Sequence, residues 1–422
     1  MLAMFMAFAA HAASEPFGAA KAREREERAA IVADSGGDAA KATDLALRRA
    51  LYFRALGAYE TGARLAAYAA TRSDGATRAS ALLESAYLYT MAGQGKAAAA
   101  ATAKAAALVE DTAVLARARL AIQQARTITD TKAQLAALAS IDADGAPTDV
   151  RFVVAAARSV VFGDAKRFDA ARTASDVCWS LIESVDTALP EHLSCLQQRI
   201  YVLHALDVDG NESQAVAQTL IAWLEQRVGK NTPAPLLALL NWCNLSYPEN
   251  DDYAHSERAC ARARKLLEHP DVAGLRRDYA FQLALGHGLA IQNQTGRVRE
   301  ALPHLSQALS LATLEKNAED VNVALVNLGW AQFQAGDAPA AKPLLERVLR
   351  DAPDSPYALP ATLSLGDIAC NEGAYTEARR RFEAGKALAL KIEGDTSPRH
   401  RHFVQRLEML DGSNDDERCN QP

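Results

Sequence analysis

The chain is 422 residues long and 49% hydrophobic but only 6% aromatic, and its apolar content is heavily alanine and leucine, the strongest helix formers among apolar residues. Few runs of Val, Ile, Thr and aromatics read as strands, so the composition points to an all-helical chain built on small contact residues. A net charge of −6 and an isoelectric point near 5.9 provide no chain-wide basic field for a phosphate backbone, which argues against nucleic acid as the main partner.

The first ten residues, MLAMFMAFAA, are too few to cross a bilayer as a helix but match the apolar region of a signal peptide. Ala10-His11-Ala12 supplies the small residues of a cleavage site. Residues 1–12 are therefore expected to be a signal peptide and the protein periplasmic or secreted; a cytoplasmic location is the alternative. No Lys or Arg precedes the apolar run, as it would in a standard signal peptide, and a fragment of a longer membrane-anchored chain would look the same. No other segment is long and apolar enough to span. Residues 13–42 read as a mobile leader able to become helical, and KAREREER at 21–28 alternates sign like a solvated helix face.

Residues 43–281 carry a decayed helical-hairpin pattern. ALGAYETGARLAAYAA places Gly57, Tyr59, Gly62, Ala66 and Ala69 around a turn and a second helix, and Tyr89, Gly93, Ala98 and Ala105 do the same further on. Weaker units surround Phe168 and Ala171, Gly210 and Ala215, and Tyr253. Residues 282–395 are clearer. Gly296, Val298, Ala301, Leu305 and Ala308 form one unit; Leu325, Leu328, Gly329 and Gln332, a break at Gly336-Asp337, then Ala341, Leu345 and Val348 form the next. Leu365, Gly366, Gly373, Tyr375, Ala378 and Phe382 form a third. Gly329 and Ala341 would let paired helices approach closely. Inter-helix turns are expected near 57, 93, 129, 166, 210, 251, 296, 336 and 373, about 36 to 45 residues apart.

This pattern resembles the tetratricopeptide repeat family, whose unit is about 34 residues with a W-x2-L-G-x2-Y, A-x3-F, P signature. Leu325, Leu328, Gly329, Gln332, Ala341, Leu345 and Pro353 fall at the signature sites, with Leu325 and Gln332 replacing Trp and Tyr. The resemblance implies an all-α, right-handed superhelical α-solenoid of about nine helical hairpins. Residues 396–411 would be a capping helix covering the last apolar face, and 412–422 a disordered tail.

Enzymatic motifs are missing. GKNT at 229–232 has Leu224 where a phosphate loop needs glycine, and DVDGNE at 207–212 has its glycine misplaced for a calcium loop. His400 and His402 point to different helix faces, which disfavours a shared metal. No G-x-S-x-G, H-E-x-x-H or C-x-x-C occurs, so no catalytic residue, metal or cofactor is expected. Cys178 and Cys195 are 17 apart, as are Cys243 and Cys260, and each pair brackets an expected turn. In an oxidising compartment these would be disulfides; small thiols filling tight helix contacts explain them equally well. Spacing gives Cys370 and Cys419 no evident partner.

The resemblance implies that inner-face residues of each first helix contact a protein or peptide. Mapped here they are Asn241, Asn293, Gln294, Val326, Trp330, Phe333, Gln334, Asp367 and Asn371. Asn and Gln pair with exposed peptide groups, and Trp330 and Phe333 offer an apolar anchor, although the rings also suit packing between repeats. The expectation is a non-enzymatic scaffold. Its alternative is the sensory or regulatory region of a truncated signalling protein of the membrane-anchored diguanylate cyclase or Ser/Thr kinase type, with the membrane involved only if the N-terminus is an anchor fragment.

Overall fold

A computed structural model of the chain describes residues 17–110, 113–141, 143, 145–206, 210–244 and 253–412. The expected signal peptide and nearly all of the expected tail lie outside these residues. Two compact units are present, one formed by the described residues up to 242 with 262–276, the other by 243–261 with those from 277 onward.

Every regular element among the described residues is a helix. α1 (Phe17–Ser35) comes first. Nine pairs follow: α2 (Ala39–Ala55) with α3 (Tyr59–Thr71), α4 (Gly75–Met91) with α5 (Gly95–Ala106), α6 (Val114–Arg126) with α7 (Thr131–Ala139), α8 (Thr148–Asp164) with α9 (Phe168–Leu181), α10 (Glu191–Ala205) with α11 (Gly210–Val228), α12 (Leu236–Asn244) with α13 (Tyr253–Leu267), α14 (Arg276–Gln292) with α15 (Val298–Glu315), α16 (Ala318–Gln334) with α17 (Ala338–Asp351), and α18 (Ala358–Asn371) with α19 (Tyr375–Glu393). α20 (Pro398–Gly412) closes the order. The expected turns fall between the members of each pair, those near 210 and 251 lying largely outside the described residues.

The turns recur because one backbone motif recurs. In the turn after α16, Gly336 takes φ 87° and Asp337 N–H donates to Gln332 O at 2.9 Å, while Gly336 N–H donates to Phe333 O at 2.9 Å. This doubly bonded left-handed cap satisfies carbonyls that the ending helix leaves open. The turns at Gly57, Gly93 and Gly373 repeat it. After α8 the left-handed position is held by Lys166, at φ 58°, with the same two bonds.

Small residues set the spacing within pairs. A Cβ on Gly329 would lie 2.8 Å from Leu345 Cγ, and one on Gly366 would lie 2.3 Å from the Phe382 ring, so each glycine admits the large side chain of the facing helix. Leu345 and Phe382 are accordingly buried, the first in a core that continues into the next pair and the second in one that continues into α20. α20 caps the last of these cores by inserting Phe403 against Gly385.

Within the segment 13–42, expected as a leader able to become helical, α1 buries Ala20 and Ile31. Glu27 accepts from Arg49 Nε at 2.6 Å, and Arg23 and Arg28 lie over the Phe53 and Tyr68 rings, so much of the charged KAREREER run ties α1 to α2 and α3. Cys370, unpaired by spacing, is not a free thiol. Cys178 and Cys195 are bonded, with Cα atoms 6.2 Å apart, and so are Cys243 and Cys260, at 4.8 Å. The first bond joins α9 to α10 of the next pair; the second joins α12 to α13.

Candidate binding surfaces

In the unit that contains α14 to α20, the packing glycines give the first helices a common register. Gly288, Gly329 and Gly366 each face a large side chain of the paired second helix. Five residues after each comes a carboxamide at the helix end: Asn293, Gln334 and Asn371. One residue after two of these glycines stand Trp330 and Asp367, on the same face because positions four apart in a helix align. Gln334 and Asn371 are exposed, while Asn293, Trp330 and Asp367 are half-buried.

The nine sequence candidates divide on this frame. The side chains of Asn293 and Asn371 make no hydrogen bond to another described residue. Gln334 Oε1 accepts from Gln292 Nε2 at 2.7 Å, bridging the ends of α14 and α16. Trp330 packs against Phe333 with ring centroids 5.6 Å apart, and Phe333 leans on the core of α16 to α18. Val326 is 9% exposed within that core, so it supports the surface from beneath and does not form it. Gln294 is occupied too, donating to Glu257 Oε2 at 2.8 Å and to Ala290 O. Arg297 also bonds to Glu257 at 2.7 Å, and that contact holds the Glu257 carboxyl below its usual range. Asp367 pairs with Arg406 of α20 at 2.9 Å; burial still pushes its carboxyl up, against the pull of Arg406. Asn241 is half-buried in α12 and belongs to the other unit.

That other unit holds a polar pocket which the sequence reading missed. Five successive first helices, α2, α4, α6, α8 and α10, converge on it. Arg54 donates to Glu84 at 2.7 and 3.0 Å and to Ser194 Oγ at 2.6 Å. Arg119 donates to Glu191 Oε1 at 2.7 Å and to Ser80 Oγ at 2.6 Å. Tyr87 lies between two guanidiniums, with Arg54 Cζ and Arg126 Cζ each 4.3 Å from its ring centre. Burial works against the charge on Arg54, but Glu84 outweighs it and holds the group above its usual range. For Arg126 burial wins and the group is held below its usual range. Glu191 is pulled down by Arg119 and Arg54 despite its burial. These residues are scattered over about 140 positions, and the signal that marks them is a charge inside an alanine-rich apolar face, as in ALYFRALGAY and ALLESAYLY.

Helix pairs joined by left-handed caps and packed glycine-to-large-side-chain define a helical-repeat scaffold. Residues 293–362 match the family model described as tetratricopeptide repeat. Among solved structures, the apo form of RapI is similar with a TM-score of 0.50 and 12% identity, covering 79% of this chain and 99% of that one. A Rap protein complexed with competence and sporulation factor is similar at 0.43 and 13%, covering 79% and 97%. The P58(IPK) TPR domain is similar at 0.28 and 14%, covering 87% and 98%. At such identities the likeness to RapI is one of fold, and the two looser matches add nothing to it. No curated protein matches the chain. Among the described residues no group of three His, Cys, Asp or Glu could hold a metal ion, and no helix is long and apolar enough to cross a membrane.

Proposed function

We propose that this chain is a non-enzymatic, exported scaffold that holds an extended protein or peptide segment across the ends of α14, α16 and α18. The observation that carries the reading is the row of carboxamides Asn293, Gln334 and Asn371, one per repeat in the same register beside the half-exposed Trp330; Gln334 keeps its exposed amide while its oxygen accepts from Gln292. A carboxamide offers both a donor and an acceptor to a peptide backbone. Packed helices lie about 8–10 Å apart, and an extended chain rises about 3.3 Å per residue, so successive carboxamides would meet about every third residue. The two disulfides among the described residues favour an oxidising compartment, which supports export.

The test places a photo-crosslinking residue at Asn293 or Asn371 in the native cell, and at Leu314 and Leu390 as exposed controls on second helices. One polypeptide should crosslink from the first pair only, and Trp330→Ala should weaken that product. Equal labelling from both pairs would remove the site. Intact mass before and after reduction checks export: loss of about the first twelve residues, as a signal peptide requires, with a mass gain on reduction is expected. Free thiols on an unprocessed chain would place the scaffold in the cytoplasm, and a terminus upstream of Met1 would favour the regulatory region of a larger signalling protein.

A further inference from the structure

We propose that the pocket around Arg126 is a binding site for a small free monocarboxylate, independent of the carboxamide row. The charges on its walls do not balance. Arg54, Arg119 and Arg126 contribute three positive charges, Glu84 and Glu191 two negative ones, and the two carboxylates are taken by Arg54 and Arg119. Arg126 has no ion pair or hydrogen bond to a described residue and rests on the Tyr87 ring alone. Asp164 feels its charge, yet is not bonded to it and lies outside the pocket lining. A desolvated guanidinium without an anion is costly, and a carboxylate offers the fork that fits it.

The walls also select the ligand. Leu83, Ile122 and Val153 are buried behind the polar groups, and the cavity is ≈ 20 Å³, room for about one or two water-sized groups. That encloses the carboxylate group and no more, so a short substituent must sit in the open mouth of the pocket. Phosphate is disfavoured, because a dianion would face Glu84 and Glu191 with a single uncompensated positive charge to receive it. Two buried acceptors on the walls, Glu191 Oε2 and Gln123 Oε1, have no partner. An acid with a hydroxyl beside its carboxylate could donate to one of them, so glycolate should bind better than acetate.

Thermal unfolding of the full chain at constant ionic strength, with acetate, glycolate, acetamide or inorganic phosphate, tests this. At tenfold excess over Kd a carboxylate should raise Tm by about 3 °C for a unit of this size, with glycolate ahead of acetate. Acetamide, the neutral isostere, and phosphate should do neither. Arg126→Gln should fold with at least the stability of the parent, since it removes an unpaired, partly buried charge, and should lose the response. On the unaltered chain, the Nε–Hε signal of Arg126 in arginine-labelled protein should move with acetate and not with acetamide. Equal shifts in parent and Arg126→Gln, or an Arg126 signal that ignores acetate, would overturn the proposal. So would a response confined to a peptide with a free C-terminus and absent for small acids, which would assign the pocket to a chain end.

Discussion

Gly366→Ala tests the packing that spaces the repeats. The added Cβ would lie 2.3, 2.7 and 2.9 Å from Cε1, Cδ1 and Cζ of Phe382, against an ordinary carbon separation of about 3.5–4.0 Å. The ring must therefore retreat by more than about 1 Å. It has little freedom to do so, since it is 1% exposed and shares its core with Phe403, Leu359 and Cys370. Overpacking of this kind costs about 1–3 kcal/mol, and the better helix propensity of alanine returns at most about 1 kcal/mol. The expected result is a net loss of about 1–2 kcal/mol, read by urea unfolding and by hydrogen exchange across α18 and α19, because a stack can open locally. In a Phe382→Leu background the same substitution should become neutral or stabilising. Gly95→Ala, where a Cβ meets nothing within 4 Å, is the control. Equal or greater stability of Gly366→Ala in the parent background would refute the argument that glycine sets the inter-helix distance.

Lys166→Gly should stabilise the protein by about 0.5–1 kcal/mol in the same urea assay, because a left-handed lysine costs about 1–2 kcal/mol and glycine's extra unfolded-state entropy offsets part of it. His192 is 2% exposed, stacks on Trp223 and donates Nδ1–H to Leu189 O at 3.0 Å, and burial holds its pKa below the ordinary 6.5. Below pH 6.5 the unfolded chain takes up the proton first, so stability should fall as the pH drops towards the folded value, and His192→Phe should flatten that slope. Asp320 behaves in the opposite sense: burial, with Glu319 and Glu315 nearby, pushes its carboxyl up to about 6. Its contribution is present at low pH and is lost as the pH rises through about 6, so Asp320→Asn should raise the urea midpoint at pH 7 and leave it unchanged near pH 3.5. Replacing Cys178 and Cys195 together by serine, or Cys243 and Cys260, opens one loop of sequence separation 17, worth about 3 kcal/mol, and the urea midpoint should drop; an unchanged midpoint would show that the bond does not constrain the unfolded chain.

The hairpins were legible because each turn needs a left-handed residue and each close contact needs a small one, and both leave glycine or alanine at a fixed offset. Gly57, Gly93, Gly336 and Gly373 mark the turns even where the rest of the tetratricopeptide signature has decayed. Lys166 breaks that rule and the turn persists, because the N–H groups of Lys166 and Arg167 still make the same two bonds. α1 was harder to see: its sequence is polar on most sides, and what fixes it is long-range, the pairing of Glu27 with Arg49 and the burial of Ala20 and Ile31. Several surface candidates shifted for a similar reason. Asp367, Gln294 and Gln334 have the right chemistry for a partner, but Arg406, Glu257 and Gln292 already engage them, and no local pattern shows such contacts.

The turn glycine also explains why the arginine pocket escaped notice and how it connects to the clearer repeats. Counting six residues back from Gly336 and Gly373 gives Trp330 and Asp367, and the same count from Gly93 gives Tyr87. The tetratricopeptide signature is strong only in the later units, so Tyr87 stands where no neighbouring signature residue marks its position. In the decayed unit of α4 and α5 the same position holds the ring that separates Arg54 from Arg126. Both guanidiniums face it at 4.3 Å, a distance at which an aromatic face attracts each cation while it keeps the two apart. Tyr87→Leu should therefore act differently from Trp330→Ala. Removing the Tyr87 ring leaves two like charges closer in a buried site and should destabilise the unit with or without a partner, an effect that Arg126→Gln in the same chain should relieve. Removing Trp330, which is half-buried beside the open carboxamides, should weaken partner binding with little change in helicity. If Arg126→Gln fails to rescue Tyr87→Leu, the ring is core packing alone, and the shared register carries no chemistry from one repeat to the next.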